Sequence, residues 1–195
     1  LTTPLIHGVR VASFEGPATQ IPQGIGTISP FRSDTGQLVW DTGFDQKSAV
    51  VTIDSPRSQA LIGFLKRNNK SVANLAANVQ NDFCSIIVTS LENNPIASAT
   101  KLLLTAGVRV ENTGMQWDAQ RIRAINNGGS PTLIEPVAGT ITLKNLVLAK
   151  SVSVKPLDGS GHVIGKPIPA HKTAAGWEIS VGEPVTTWYV VTVNR

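Results

Sequence analysis

The chain has 195 residues, 41% of them apolar and 15% charged, and a net charge of +4. That is long enough and apolar enough to bury a core in one large domain or two small ones, and it excludes a disordered, highly charged tail. The 17 Lys and Arg are scattered among 13 Asp and Glu, which argues against nucleic acid as a partner, and no apolar run reaches the roughly 20 residues of a membrane helix.

The chain opens "LTTPLIHG", without Met, a basic segment or an apolar leader, and reads as a mature or excised piece of a longer parent. The first predicted strand is "VRVASF" (9–14). The next segment, "RSDTGQLVWDTGFDQ", carries Asp-Thr-Gly twice, at Asp34 and at Asp41. This tripeptide presents the catalytic carboxylate of aspartic proteases, but a proton-sharing dyad needs its two carboxylates on symmetric lobes or subunits. Asp34 and Asp41 are too close in sequence for separate lobes, and no later apolar-Gly-Arg segment completes a one-motif dimer. Asp-Thr-Gly also supplies a side-chain acceptor followed by a residue free to take positive φ. The expectation is therefore two hairpin corners flanking the strand "QLVWD". Asp34, Asp41 and Asp45 together leave open a structural Ca²⁺, although their spacing matches no established calcium loop. No other cofactor is expected.

"AVVTID" (49–54) is the next strand. "SPRSQALIGFLKR" offers one helical turn, with Ser55 as cap and Pro56 at the first position, weakened by Gly63. "KRNNK" (Lys66, Arg67, Lys70) reads as a solvated loop. Further strands follow at 84–91, 101–111, 139–148, 151–157, 177–181 and 186–193, β-branched runs separated by "NNP", "NNGGSP", "LDGSG" and "GEP". Cys84, the single cysteine, alternates with apolar neighbours and is expected to be a buried thiol. The pattern predicts an all-β protein, an antiparallel β-sandwich of jelly-roll type. Residues 1–195 are read as one domain, with a soft boundary at 126–136 that leaves two packed subdomains divided near residue 130 as the alternative.

Catalytic constellations are absent from the pattern. His7, His162 and His171 lack ligand spacing, there is no Gly-x-Ser-x-Gly elbow, and Glu111 stands alone where glycoside hydrolysis needs two carboxylates. The four tryptophans carry more information. Trp177 shares a strand face with Ile179 and Val181, and Trp40 shares one with Leu38, so both are assigned to the core. Trp188 and Tyr189 point to opposite faces, both fairly apolar, with one ring expected in the core and the other under a neighbouring loop. Trp117 lies among polar residues in "NTGMQWDAQR". An exposed indole flanked by Asp118, Gln120 and Arg121 can stack on the C–H face of a sugar while its neighbours bond the hydroxyls. Candidate ligand-binding residues are accordingly Trp117, Asp118, Gln120, Arg121, Trp188 and Tyr189.

Several stretches, "SDTGQLVWD", "VTIDSPRSQALIGFL", "IIVTSLENNPIASATKLLLTAGVRVENTGMQW" and "TTWYVVTV", resemble the β-rich domain that follows the (β/α)8 barrel in some bacterial glycoside hydrolases. The resemblance runs from about residue 30 to the C-terminus and is most specific between residues 89 and 115. It implies a non-catalytic accessory or carbohydrate-binding domain of a secreted, extracellular enzyme. Its partners would be a polysaccharide or oligosaccharide and the parent's catalytic domain. A purely structural domain packed against the barrel and a small hydrolase in its own right are the alternatives.

Overall fold

The computed structural model describes residues 5–8, 13–17, 25, 28–45 and 47–195. Most of the strand expected at 9–14 lies outside them. Sixteen strands are described: β1 (Phe31–Arg32), β2 (Leu38–Asp41), β3 (Val50–Asp54), β4 (Ser58–Gly63), β5 (Leu75–Val79), β6 (Cys84–Ser90), β7 (Lys101–Gly107), β8 (Val110–Thr113), β9 (Gln116–Trp117), β10 (Ala124–Asn126), β11 (Gly129–Ile134), β12 (Gly139–Leu143), β13 (Ser151–Leu157), β14 (Ile168–Lys172), β15 (Trp177–Val181) and β16 (Trp188–Asn194). Every pairing between them is antiparallel. No described helix is long and apolar enough to cross a membrane.

Twelve strands hydrogen-bond in the order β1-β2-β3-β4-β6-β7-β16-β13-β14-β15-β12-β5. This array turns a corner at β14. Ile168 and Pro169 pair with Val154 and Ser153 of β13, whereas Ala170, His171 and Lys172 pair with β15. One strand thus belongs to two sheets, a usual way of closing a sandwich edge. The larger sheet buries Cys84, Ile86, Val88, Leu102, Leu104, Tyr189, Val191 and Val154; the smaller buries Leu75, Ile141, Leu143, Trp177 and Ile179 in the same core. Period-two alternation puts them there: in β6 the side chains of Cys84, Ile86, Val88 and Ser90 are buried while Ser85, Ile87 and Thr89 are half-buried on the other face.

Both Asp-Thr-Gly segments are corners. The Gly36 N–H donates to the Ser33 carbonyl at 2.9 Å between β1 and β2, and the Gly43 N–H donates to Asp41 Oδ1 at 3.0 Å after β2. The helical turn expected from Ser55 is replaced by β4, followed by a short 3-10 turn at Leu65–Arg67. Ser55 bonds the Ser58 backbone in both directions, and β4 then enters the sheet with Gln59, Ala60 and Leu61 all buried. Burial on both faces overrides the local cap signal. Trp40 also departs from expectation. It lies half-buried on the outer face of the larger sheet, in edge contact with Phe31 at 5.5 Å. Trp177 is in the core as expected, and Cys84 is fully buried with its thiol pushed up to about 11 by burial.

Candidate functional site

Between β7 and β12 the chain leaves the main array as an arm of nested hairpins. β8 pairs with β11, and β9 pairs with β10 nearer the tip. Asn81 fastens the root. Its Nδ2 donates to Glu135 Oε1 (3.0 Å) and to the Pro136 carbonyl (3.1 Å), and its Oδ1 accepts the Ala138 N–H (2.8 Å). Along the arm, Arg109 binds Glu135 at 3.1 Å and approaches Glu111 at 3.8 Å, while Arg121 reaches back from the tip to ion-pair with Glu111. Arg109, Glu111, Met115, Leu133, Ile134 and Glu135 line a cleft of about 360 Å³.

The four residues singled out on this arm do different things. Arg121 holds its guanidinium 5.5 Å from the centroid of the Trp117 ring and so covers one indole face. Trp117 is half-buried, and its Nε1 is buried without a hydrogen-bond partner. It is neither a free platform nor a core residue. The Asp118 carboxylate is engaged by the turn, accepting the N–H groups of Ile122 (2.8 Å) and Arg123 (3.1 Å). Gln120 is exposed at the tip.

The second locus is at the start of β16. Alternation separates the two aromatics completely. Tyr189 is fully buried, its hydroxyl donating to the Thr186 carbonyl at 3.3 Å, and burial raises its pKa. It cannot meet a ligand, so its assignment as a binding residue is corrected. Trp188 faces outward and is 36% exposed. It lines a cleft of about 230 Å³ with Ile134, Asp158, Gly159, Thr186 and Thr187. Strand pairing of Leu157 with Trp188 delivers the "LDGSG" loop to the indole. A Cβ on Gly159 would sit 3.8 Å from the ring. Asp158 is held below the usual carboxylate range by the N–H groups of His162 and Ser160. The Thr187 Oγ1 is buried without a partner. Ile134 lines both clefts, so the root of the arm stands between them. Asp158, Gly159 and Thr187 were not legible as site residues, because "LDGSG" read locally is only a turn. The signal was the strand pairing, which a single sequence does not display.

Other candidate groups are dispersed. Asp34 bonds His7 Nδ1 at 2.7 Å, Asp41 binds Lys70 at 3.1 Å, and Asp45 accepts the Lys47 N–H at 2.8 Å. Among the described residues no three His, Cys, Asp or Glu side chains are grouped as a metal site. No family model matches the chain, and no curated protein or solved structure matches it.

Proposed function

We propose that this chain is a non-catalytic, carbohydrate-binding accessory module of a secreted bacterial polysaccharide-degrading enzyme, and that Trp188 is its sugar platform. The observation that carries the reading is the outward Trp188 ring in a cleft walled by Asp158, Thr186 and Thr187. A sugar ring offers an apolar C–H face for the indole, while its hydroxyls suit the ionised Asp158 carboxylate. The cleft has room for about one sugar unit, which implies weak binding. Removing the ring should cost about 1–2 kcal/mol, a tenfold or greater loss of affinity.

The test is pull-down on insoluble xylan, cellulose and galactan, run beside a thermal melt. Trp188→Ala should lose binding and keep its melting temperature, while Tyr189→Phe should bind as the parent does. Binding unchanged in Trp188→Ala would sink the platform assignment. A second reading, a structural domain packed on a catalytic (β/α)8 barrel, is favoured by the outer face of the larger sheet. There Phe31, Trp40, Val51 and Ile62 form one cross-strand row and Leu38, Ile53, Ala60 and Ile87 form another. On that reading the isolated chain binds no glycan, and Val51→Lys weakens its association with the barrel.

A further inference from the structure

We propose that the cleft around Phe83, at the root of the arm, is a second saccharide site, one that takes a neutral glycan chain on the opposite side of the arm from Trp188. Resting on the carbohydrate-binding reading above, this site would give the chain a second point of attachment. Phe83 lies in the turn between β5 and β6. It is 49% exposed, yet its ring is held in edge contact with Phe64, 5.3 Å between centroids. Asp82, Val108, Arg109 and Glu135 complete a cleft of about 500 Å³, more than twice the volume at Trp188. On the same measure it has room for about two sugar units. Consecutive residues divide between the two clefts: Ile134 and Pro136 line the one at Trp188, and Glu135 lines the one at Phe83. Extended chain alternates its side chains, so the two clefts open on opposite sides of the arm's root.

Two features select a neutral sugar as the occupant. First, the polar groups are set before any ligand arrives. Arg109 Nε donates to Glu135 Oε2 at 3.1 Å, and Glu135 Oε1 accepts from Asn81 Nδ2 at 3.0 Å. The Glu135 N–H donates to the Arg109 carbonyl at 2.9 Å, so both side chains spring from paired backbone. These contacts use only some of the guanidinium donors and carboxylate lone pairs, and leave the rest for a ligand's hydroxyls. Groups already fixed lose little side-chain entropy on binding. An apolar occupant would bury Arg109 and Asp82 against nothing that can bond them, a costly desolvation. A sugar instead covers the phenyl face with its C–H groups and presents hydroxyls to the rim. Second, the local charge chooses among sugars. Arg109 is paired with Glu135 and Lys66 with Asp82, so each of these cations already has a carboxylate. The lining itself carries two carboxylates, Asp82 and Glu135, against one cation, Arg109. A uronate would add a further anion beside them, whereas a neutral hexose or pentose adds none.

Amide NMR titration with soluble cello-, xylo- and galacto-oligosaccharides tests this on the chain as it stands. A sugar that binds should shift two separate sets of amides, one at residues 82, 83, 108, 109 and 135, the other at 158, 159, 187 and 188. Phe83→Ala should weaken binding at the first set about tenfold or more and leave the second unchanged, and Trp188→Ala should do the reverse. Asp82→Ala, at a side chain 74% exposed, carries no folding risk and should weaken the first set several-fold. Oligogalacturonate should leave the first set unshifted. Shifts confined to the Trp188 cleft overturn the inference. So do first-set shifts that survive both Phe83→Ala and Asp82→Ala, or oligogalacturonate bound there as tightly as the neutral sugars. Shifts at the Phe83 cleft alone uphold it and remove Trp188 as the platform. No shift at either cleft with any of the three neutral sugars overturns this inference and the carbohydrate-binding reading together.

Discussion

Gln59 should be a costly position to change, because it joins the two sheets through a buried polar clamp. Its side chain is almost completely buried in β4 of the larger sheet. Its Nε2 donates to Asn74 Oδ1 at 3.1 Å, and its Oε1 accepts the Asn74 backbone N–H at 2.7 Å. Asn74 precedes β5 and donates in turn to the Lys144 carbonyl just after β12, at 2.9 Å. Gln59→Leu keeps the volume and removes both contacts, leaving a buried N–H and a buried carbonyl oxygen without partners. At about 1–3 kcal/mol for each orphaned group, partly offset by burying a leucine, the expected loss is about 2–4 kcal/mol. For a chain of this length that lowers the melting temperature by about 10 °C. Urea unfolding followed by tryptophan fluorescence measures the loss. A cycle with Asn74→Ala measures the coupling, which should reach about 1–2 kcal/mol, since the second substitution removes one of the two groups the first has already orphaned, the side-chain carbonyl, and leaves the backbone N–H. A Gln59→Leu cost below about 0.5 kcal/mol, or strictly additive single changes, would refute the clamp.

Cys84 should resist thiol reagents in the native protein and react only on unfolding, since burial raises its pKa to about 11; fast native labelling would place β6 at the surface. Gly63→Ala should destabilise strongly, by about 3 kcal/mol or more, because its φ of +133° disfavours a side chain and a Cβ there would lie 2.3 Å from the Ala49 carbonyl oxygen. A near-neutral melt would show that the approach of β3 to β4 is looser than described. Stability should fall on acidification. The carboxyls of Glu92, bonded by the Thr100 hydroxyl, Asp41, bonded by the Gly43 N–H and Lys70, and Asp158, bonded by the His162 N–H, are all held below their ordinary values. Depressed folded-state values mean that their contribution is complete above the unfolded range near pH 4 and is lost as pH falls through the folded values. Calorimetric melts from pH 7 to pH 2.5 should therefore drop below about pH 4; a flat profile would count against these bonds.

The all-β class was legible because its signals are local. Alternation in "CSIIVTSL" and "TTWYVVTV" fixes which side chains enter the core, and the Asp-Thr-Gly corners carry their turn chemistry in three residues. Alternation also assigned Trp188 and Tyr189 to opposite faces, but it could not say which face met the second sheet, and so it kept both as ligand candidates. The same blindness placed Trp40 inside: Leu38 and Trp40 do share a face, but it is the outer one. Ser55-Pro56 reads as a helix start because capping is local, while β4 is dictated by neighbours distant in sequence, β3 and β6. The Trp188 cleft was invisible for a similar reason. Asp158 reaches the indole only through a β13–β16 pairing, and Ile134 only through the fold-back of the arm.

The place of β16 in the larger sheet constrains how the chain can be made. This late strand lies between β7 and β13, bonding Leu102, Leu103 and Leu104 on one side and Val152, Val154 and Pro156 on the other. Until residues 188–194 emerge from the ribosome, both neighbours show a bare apolar strand edge, and the core lacks Tyr189, Val191 and Val193. The pairing that joins β7 to β13 therefore forms only once residues 188–194 have been made, through contacts long in sequence, a regime in which folding takes milliseconds to seconds. A nascent chain stalled before β16 is an aggregation-prone intermediate, and chaperone protection matters most during that interval.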